Sequence, residues 1–220
     1  MRFRLSLPVA LCLLPATSAC SFMSGVTLAG SGVSETDERQ VDTFSEVESL
    51  GSIDLSIRVG EQIAVVVRGD DNLLEHIITD VSGDRLTVSM KNGSYSTNAP
   101  LEVDITLPAL TELELIGSGD AQIQGLRGGD LTLVVQGSGD VVATGQVEHL
   151  QARISGSGDM ALRELRAQTV HAKVHGSGDM EVHAEEKLTA SVHGSGEIDY
   201  WGDPKERDVD SFGAGDVRGH

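Results

Sequence analysis

Six tetrapeptides of one design punctuate the second half of this chain: Gly117-Ser118-Gly119-Asp120, Gly137-Ser138-Gly139-Asp140, Gly156-Ser157-Gly158-Asp159, Gly176-Ser177-Gly178-Asp179, Gly194-Ser195-Gly196-Glu197 and Gly213-Ala214-Gly215-Asp216. They begin at intervals of 20, 19, 20, 18 and 19 residues, which makes them an internal repeat. A period near 20 belongs to solenoids, in which one unit cannot bury its apolar face alone and does so against its neighbours. Glycines at both ends of the turn allow positive φ or close backbone approach, so the chain bends sharply there.

The residues before each turn alternate. Leu131, Leu133 and Val135, then Leu150, Ala152 and Ile154, then Val170, Ala172 and Val174, then Leu188, Ala190 and Val192 share one parity, and mostly polar residues fill the other. Period two over six residues predicts a strand with one face buried and one wet. The middle inward position is repeatedly Ala, which suits the narrow interior of a stacked coil. A second alternation follows each turn, through Ala121 and Ile123, Val141 and Ala143, Met160 and Leu162, Met180 and Val182, and Ile198 and Tyr200. Each coil is expected to hold two strand segments joined at the turn and closed by a looser connection such as residues 145–148 or 184–187. Equivalent strands of successive coils would then run parallel, ~4.8 Å apart. The predicted fold class is all-β, a parallel β-helix (β-solenoid) of coils of ~19–20 residues with an irregular β N-terminal part. An antiparallel meander or barrel also places strands every 8 to 12 residues or so. Turn residues that match at every second strand favour the helical stack.

Residues 1–19 read as a signal peptide: Arg2 and Arg4, an apolar run interrupted by Pro8, then the small residues Ala16, Thr17, Ser18 and Ala19. Cys20 stands where a bacterial lipobox places its lipid-modified cysteine, with Ser18 and Ala19 fitting the pattern and Thr17 departing from it. A lipid anchor at Cys20 is the favoured reading, and a freely secreted protein the alternative. Residues 20–40 read as a tether rich in Gly and Ser. The folded domain is expected over 41–218, with 41–110 as N-terminal strands or cap and 111–218 as the repeat coils. A short helical turn capped by Asp71, or an irregular loop, follows the strand at Ile63 to Val67. The last coil, with Arg207, Val209 and Ser211 at inward phases, reads as a terminal cap, and Trp201 as a packing plug.

Charge excludes some partners. Removing the leader with its two arginines takes the formal net charge from −18 to −20. Nucleic acid, bound mainly by neutralising phosphates, is repelled, and membrane association is left to the anchor. With 3% aromatic residues, a carbohydrate groove built from stacked rings is disfavoured.

Stacking would bring Asp120, Asp140, Asp159, Asp179, Glu197 and Asp216 into one column. Carboxylates ~4.8 Å apart repel by roughly 0.9 kcal/mol in bulk water, so something must offset the repulsion. Bridging cations are one candidate, as in Gly- and Asp-rich β-rolls, whose nine-residue period is absent here. The favoured alternative is that each carboxylate accepts a bond from a nearby turn amide. His175 and His193, with His171 nearby, would share an outward face as a second candidate ion site or simply a polar column. No Ser/His/Asp order, HExxH, P-loop or dinucleotide motif appears, and the acids that could pair are periodic. No catalytic or cofactor-binding residue is assigned, and the chain is not expected to be an enzyme.

Several stretches together resemble a known family: Val41-Asp42-Thr43-Phe44, the Ile53-Asp54-Leu55-Ser56-Ile57 strand, Gly69-Asp70-Asp71-Asn72-Leu73-Leu74, the serial turns, and Tyr200-Trp201-Gly202-Asp203-Pro204. The sequence is similar over residues 41–218 to the bacterial envelope proteins grouped as putative auto-transporter adhesin head, GIN domain. The resemblance implies an exported, right-handed β-helix without established catalytic residues. The expected function is an interaction or adhesin-like module of the outer membrane or periplasm, with a protein or glycan partner. A structural envelope lipoprotein and a polysaccharide-active β-helix enzyme are the alternatives.

Overall fold

The computed structural model describes residues 27–220. Strands β1 (Thr27–Ala29) and β2 (Ser34–Arg39) precede a first coil made of β3 (Glu46–Gly51) and β4 (Asp54–Val59). The chain then leaves the stack through β5 (Ala64–Asp70), a 3-10 helix (Asp71–His76) and β6 (Ile77–Ser82), and returns as β7 (Arg85–Met90) and β9 (Glu102–Leu107), with β8 (Ser94–Ser96) between them paired to β1 in a separate two-stranded sheet. The coils of the repeat follow: β10 (Glu112–Gly117), β11 (Ala121–Arg127), β12 (Asp130–Gly137), the long β13 (Val141–Gly156), β14 (Met160–Gly176) and β15 (Met180–Gly194), then β16 (Glu197–Trp201), β17 (Glu206–Gly213) and β18 (Asp216–Gly219). The result is a β-solenoid of about five turns.

Pairing in the stack is parallel and in register. Leu131 faces Leu150, Leu150 faces Val170 and Val170 faces Leu188, while Gly137, Gly156, Gly176 and Gly194 meet in the same way. One face runs β7-β3-β10-β12-β13-β14-β15-β17, and the other β9-β4-β11-β13-β14-β15-β16-β18. Antiparallel pairs appear only toward the N-terminal end, where β6 joins β7 and where β2 and β9 flank β5. A meander is thereby ruled out.

The first coil lies inside the stack, between the coil of β7 and β9 and that of β10 and β11. Residues 108–111 therefore step over it, anchored by the buried Leu110 and by the Thr111 amide donating to the Ser45 carbonyl at 2.8 Å. Residues 46–59, assigned above to the irregular part, form a full coil. Their corner, Gly51-Ser52-Ile53-Asp54, is a degenerate version of the repeated turn.

Side chains at the predicted inward positions fill the interior. Those of β12 to β15 are at most 2% exposed, Ala152, Ala172 and Ala190 among them. Filling an interior this narrow with Leu at the Ala positions would overpack it.

Four expectations need correction. The connection that closes each coil is not loose: residues such as Leu126, Val147, Leu165, Ala167 and Ala184 are buried on a third short side, and β13 to β15 bend around it at shifts of register. The tether reading of residues 20–40 stops short, because Ser34–Arg39 pairs antiparallel with β5. Its Ser-Glu-Thr-Asp-Glu-Arg sequence has no apolar period, since both its faces are wet, and its charges suit an edge strand. The 3-10 helix is entered from Asp70, not capped by Asp71. Trp201 does not plug the interior: it is half-buried on the outer surface, with Arg163 4.5 Å from one ring and His220 stacked at 4.8 Å, while Tyr200 packs against the core. In the last coil β17 is exposed throughout, while Leu188, Ala190 and Val192 of the strand it pairs with are at most 1% exposed.

Candidate functional site

The corner of each coil is where the backbone would lose its sheet partners, and the repeat residues restore them. The Ser138 amide donates to the Gly117 carbonyl, Ser157 to Gly137 and Ser177 to Gly156, each at 2.9 Å. Ser acts there through its amide, which is why Ala214 replaces it while still donating to Gly194 at 2.9 Å. Neither glycine of the repeated turns leaves room for a Cβ, and the first carries a second requirement. The first has positive φ, 142° at Gly137 and 144° at Gly156, whereas the second does not. A Cβ on the second would lie 2.1 Å from a carbonyl oxygen of the previous coil, as at Gly139 and Gly158.

The aspartates form one row, and they are joined to each other. Asp54 Oδ1 accepts the Asp120 amide at 3.0 Å, Asp120 that of Asp140 at 2.9 Å, and Asp140, Asp159 and Asp179 those of Asp159, Asp179 and Glu197 at 2.8 Å. Each side chain thus satisfies the amide of the next coil rather than one in its own turn. Such charge-assisted bonds offset repulsion along the row. The ladder starts at Asp54, one coil earlier than the repeat suggested, and it stops at Glu197. There Arg218 takes over, 2.7 Å from Glu197 and 3.3 Å from Asp216, while Asp216 Oδ1 accepts the Val217 amide. Among the described residues no group of three or more His, Cys, Asp or Glu side chains is arranged to hold a metal ion.

His175 and His193 do meet, but face to face. Their rings stack at 4.8 Å and 16°, and His193 stacks in turn on Phe212 at 4.8 Å. Stacked imidazoles aim their nitrogen lone pairs along parallel planes, so this pair does not converge on one ion. Desolvation, then the charges of His193, Arg153 and Lys173, hold the His175 imidazole below its ordinary value. His171 lies four residues before His175 on the same face, across from Gln151 and Thr189.

Two polar clusters escaped the sequence reading. Arg85 is ringed by Glu46 at 3.0 Å, Glu112 at 2.7 Å, and Glu48 and Glu114 each at 3.6 Å. These bonds and charges raise the guanidinium above its ordinary value. The cluster exists only because β7 lies beside β3 and β3 beside β10, an order that the chain sequence does not follow. Asp70 is fully buried and accepts amides from Gly32 at 2.7 Å, Asn98 at 2.9 Å and Ala99 at 3.3 Å. The Asn98 bond leads in holding its carboxyl below the usual range, against the opposing effect of burial. Next to it, Asn72 donates to the Ala29 carbonyl and accepts the Ser31 amide, both at 2.9 Å. The Gly-Asp-Asp-Asn stretch is therefore a clamp on the incoming chain. Cys20 and residues 1–19, read above as a signal peptide, lie outside the described residues.

Solved structures share this fold. A "putative adhesin" from Bacteroides fragilis NCTC 9343 aligns with a TM-score of 0.73 at 24% identity, covering 88% of this chain and 100% of its own. A "putative lipid binding protein" from Parabacteroides distasonis ATCC 8503 aligns at 0.56 and 22% identity, with 89% and 100% covered. A "putative adhesin" from Parabacteroides merdae ATCC 43184 aligns at 0.50 and 19%, with 87% and 99% covered. Among curated proteins none matches the chain. Its residues 43–204 match the profile of one family, and the chain belongs to it: "Putative auto-transporter adhesin, head GIN domain".

Proposed function

We propose that this protein is a non-catalytic, adhesin-like interaction module of the cell envelope, exported by residues 1–19 and held by a lipid on Cys20. One observation carries the reading. The coils stack in register, so each outward position becomes a straight row of exposed side chains on a rigid, flat sheet. Such a face is preorganised for a partner that is itself extended, and it loses little entropy on contact. The family's description as an adhesin head supports the same assignment. The polar residues singled out in the site are absorbed by the fold: the aspartates by amides of the next coil, Arg85 by its four glutamates, Asp70 by the entering chain.

Protease shaving of whole cells, followed by adhesion assays with and without the gene, tests the proposal. Cleavage in intact cells and loss of adhesion on deletion are expected. Protection from protease in intact cells would sink cell-to-cell adhesion and favour a structural envelope lipoprotein. Labelling with a lipid precursor, lost in Cys20→Ser, tests the anchor.

A further inference from the structure

One face of the solenoid reverses the sign of the molecule. The chain carries 34 acidic against 16 basic residues, yet where β13, β14 and β15 lie side by side the outward positions hold Arg153, His171, Lys173, His175 and His193. The positions between them carry Gln, Ser and Thr, and none carries an acid. Arg153 and Lys173 are direct register partners on adjacent strands, a like-charge pairing that costs stability. Neither has a carboxylate partner among the described residues. The nearby ion pairs, Arg166 with Glu185 and Lys187 with Glu206, lie off the strip. Between these side chains runs a depression of about 240 Å³ lined by Gln151, Arg153, His171 and Lys173, and a second of about 300 Å³ adjoins it toward His149 and Thr169.

Acid closes the strip at both ends. Toward the N-terminal coils the same face bears the glutamates around Arg85, and toward the C-terminal edge it bears Asp208 and Asp210 on β17. Charges on a surface act over roughly 8–10 Å at physiological salt, so the occupant must be slender enough to see the strip and not its borders. A bilayer laid on this face would meet both acidic ends. A single nucleic-acid strand is slender, but it relies on exposed aromatic platforms for its bases, and the strip's rings are imidazoles already stacked in part on one another. A linear polymer with carboxylates along it satisfies both conditions.

We infer that the strip of Arg153, Lys173 and the flanking histidines is a binding surface for an acidic, carboxylate-bearing polysaccharide lying along the strand direction of β13 to β15, between the two acidic borders. This names the partner class of the module proposed above and rests on that reading. The charged or titratable groups around His175 are Lys173 on its own strand, Arg153 on β13 and His193 on β15, and across β15 stands the uncharged Phe212. All are basic. A bound polyanion therefore favours protonation of the histidines, and by linkage binding strengthens as pH falls from about 7.5 toward 5.5.

The test is binding of the full chain to polygalacturonate at low salt, beside dextran, phosphatidylglycerol vesicles and single-stranded DNA. Expected are retention on polygalacturonate alone, affinity that falls with salt and rises on acidification, and at least tenfold weaker binding for Arg153→Gln/Lys173→Gln. Glu114→Gln, on the same face, should bind at least as well as the parent. Arg153 and Lys173 are exposed and the Glu114 side chain is 18% exposed, and melting temperatures check that both variants fold. Absence of polygalacturonate binding, unchanged affinity in the double variant, or equal binding of dextran, vesicles or DNA would overturn the proposal. If cell adhesion requires the protein but survives Arg153→Gln/Lys173→Gln, the strip fails while the module reading stands.

Discussion

The two halves of this molecule reach the same cross-section by different means. From β10 onward one coil is built almost like the next, with backbone stacked on backbone at each corner and small or branched aliphatic residues inside. Around β2 to β9 the strands visit the stack out of order, and named side chains hold them: Asp70 and Asn72 fasten the entering chain, and Arg85 ties β7 to β3 and β10. A repeat makes stability a property of the corner, whereas an interleaved region makes it a property of individual polar contacts.

The sharpest way to break that comparison is one substitution at two equivalent corners. Gly156 and Gly51 occupy the same place in the coil, both with positive φ, 144° and 110°. A Cβ on Gly156 would sit 2.1 Å from the Gly137 carbonyl oxygen, whereas a Cβ on Gly51 meets nothing within 4 Å. Gly156→Ala should therefore cost about 3–5 kcal/mol, from backbone strain and a forced separation of coils. Gly51→Ala should cost about 1–2 kcal/mol from strain alone. Urea unfolding midpoints decide, and equal losses would mean that stacking contributes nothing at the corner.

In the interleaved half the largest single effect belongs to Asp70. Asp70→Asn keeps one acceptor but turns an amide NH2 toward donors from Gly32, Asn98 and Ala99, and the melting temperature should fall by about 5–8 °C. The pH dependence follows from the direction of the shift. The folded carboxyl titrates below its ordinary value of 3.8, so its contribution is complete above that value and is lost as pH falls through the folded one. Acid melting curves of the parent should therefore drop more steeply below about pH 4 than those of Asp70→Asn. Parallel curves would remove Asp70 from the account.

Arg85 comes next. Its side chain is 34% exposed, so the network is partly screened, yet Arg85→Met leaves four glutamates of β3 and β10 facing one another. A loss of about 1–2 kcal/mol is expected, shrinking in high salt. Thermal melts at two salt concentrations measure it, and a loss that ignores salt would point to packing of the side-chain stem instead.

How much of this was legible beforehand follows the same division. The inward residues from Leu131 to Val192, the parallel register and the corner glycines could be read because a period of two nested in a period near 20 leaves few ways to stack. The strand Ser34–Arg39 could not, since an edge strand wet on both faces carries no apolar pattern. Nor could the Arg85 cluster, which requires knowing that the chain steps over its own first coil. The outward row of Arg153 and Lys173 was visible in the alignment of repeats. Its meaning appeared only once the acidic neighbours were placed at either end of the same face.

The smallest expected effect separates two accounts of the aspartate ladder. If the row were bridged by cations, removing one charge would weaken both bridges and abolish any stabilisation by calcium. If each carboxylate instead serves the amide above it, Asp159→Asn keeps the oxygen that accepts the Asp179 amide at 2.8 Å. It also relieves repulsion from Asp140 and Asp179, each worth roughly 0.9 kcal/mol at most in water. That substitution should then be neutral or stabilising by up to about 0.5 kcal/mol, while Asp159→Ala loses the acceptor and costs about 0.5–1 kcal/mol. Melting temperatures of the parent and both variants, with and without millimolar calcium, distinguish the two. A calcium-dependent rise in the parent that disappears in Asp159→Asn would establish the bridged row, because an amide can replace a carboxylate toward an N–H but not toward a cation that needs its charge.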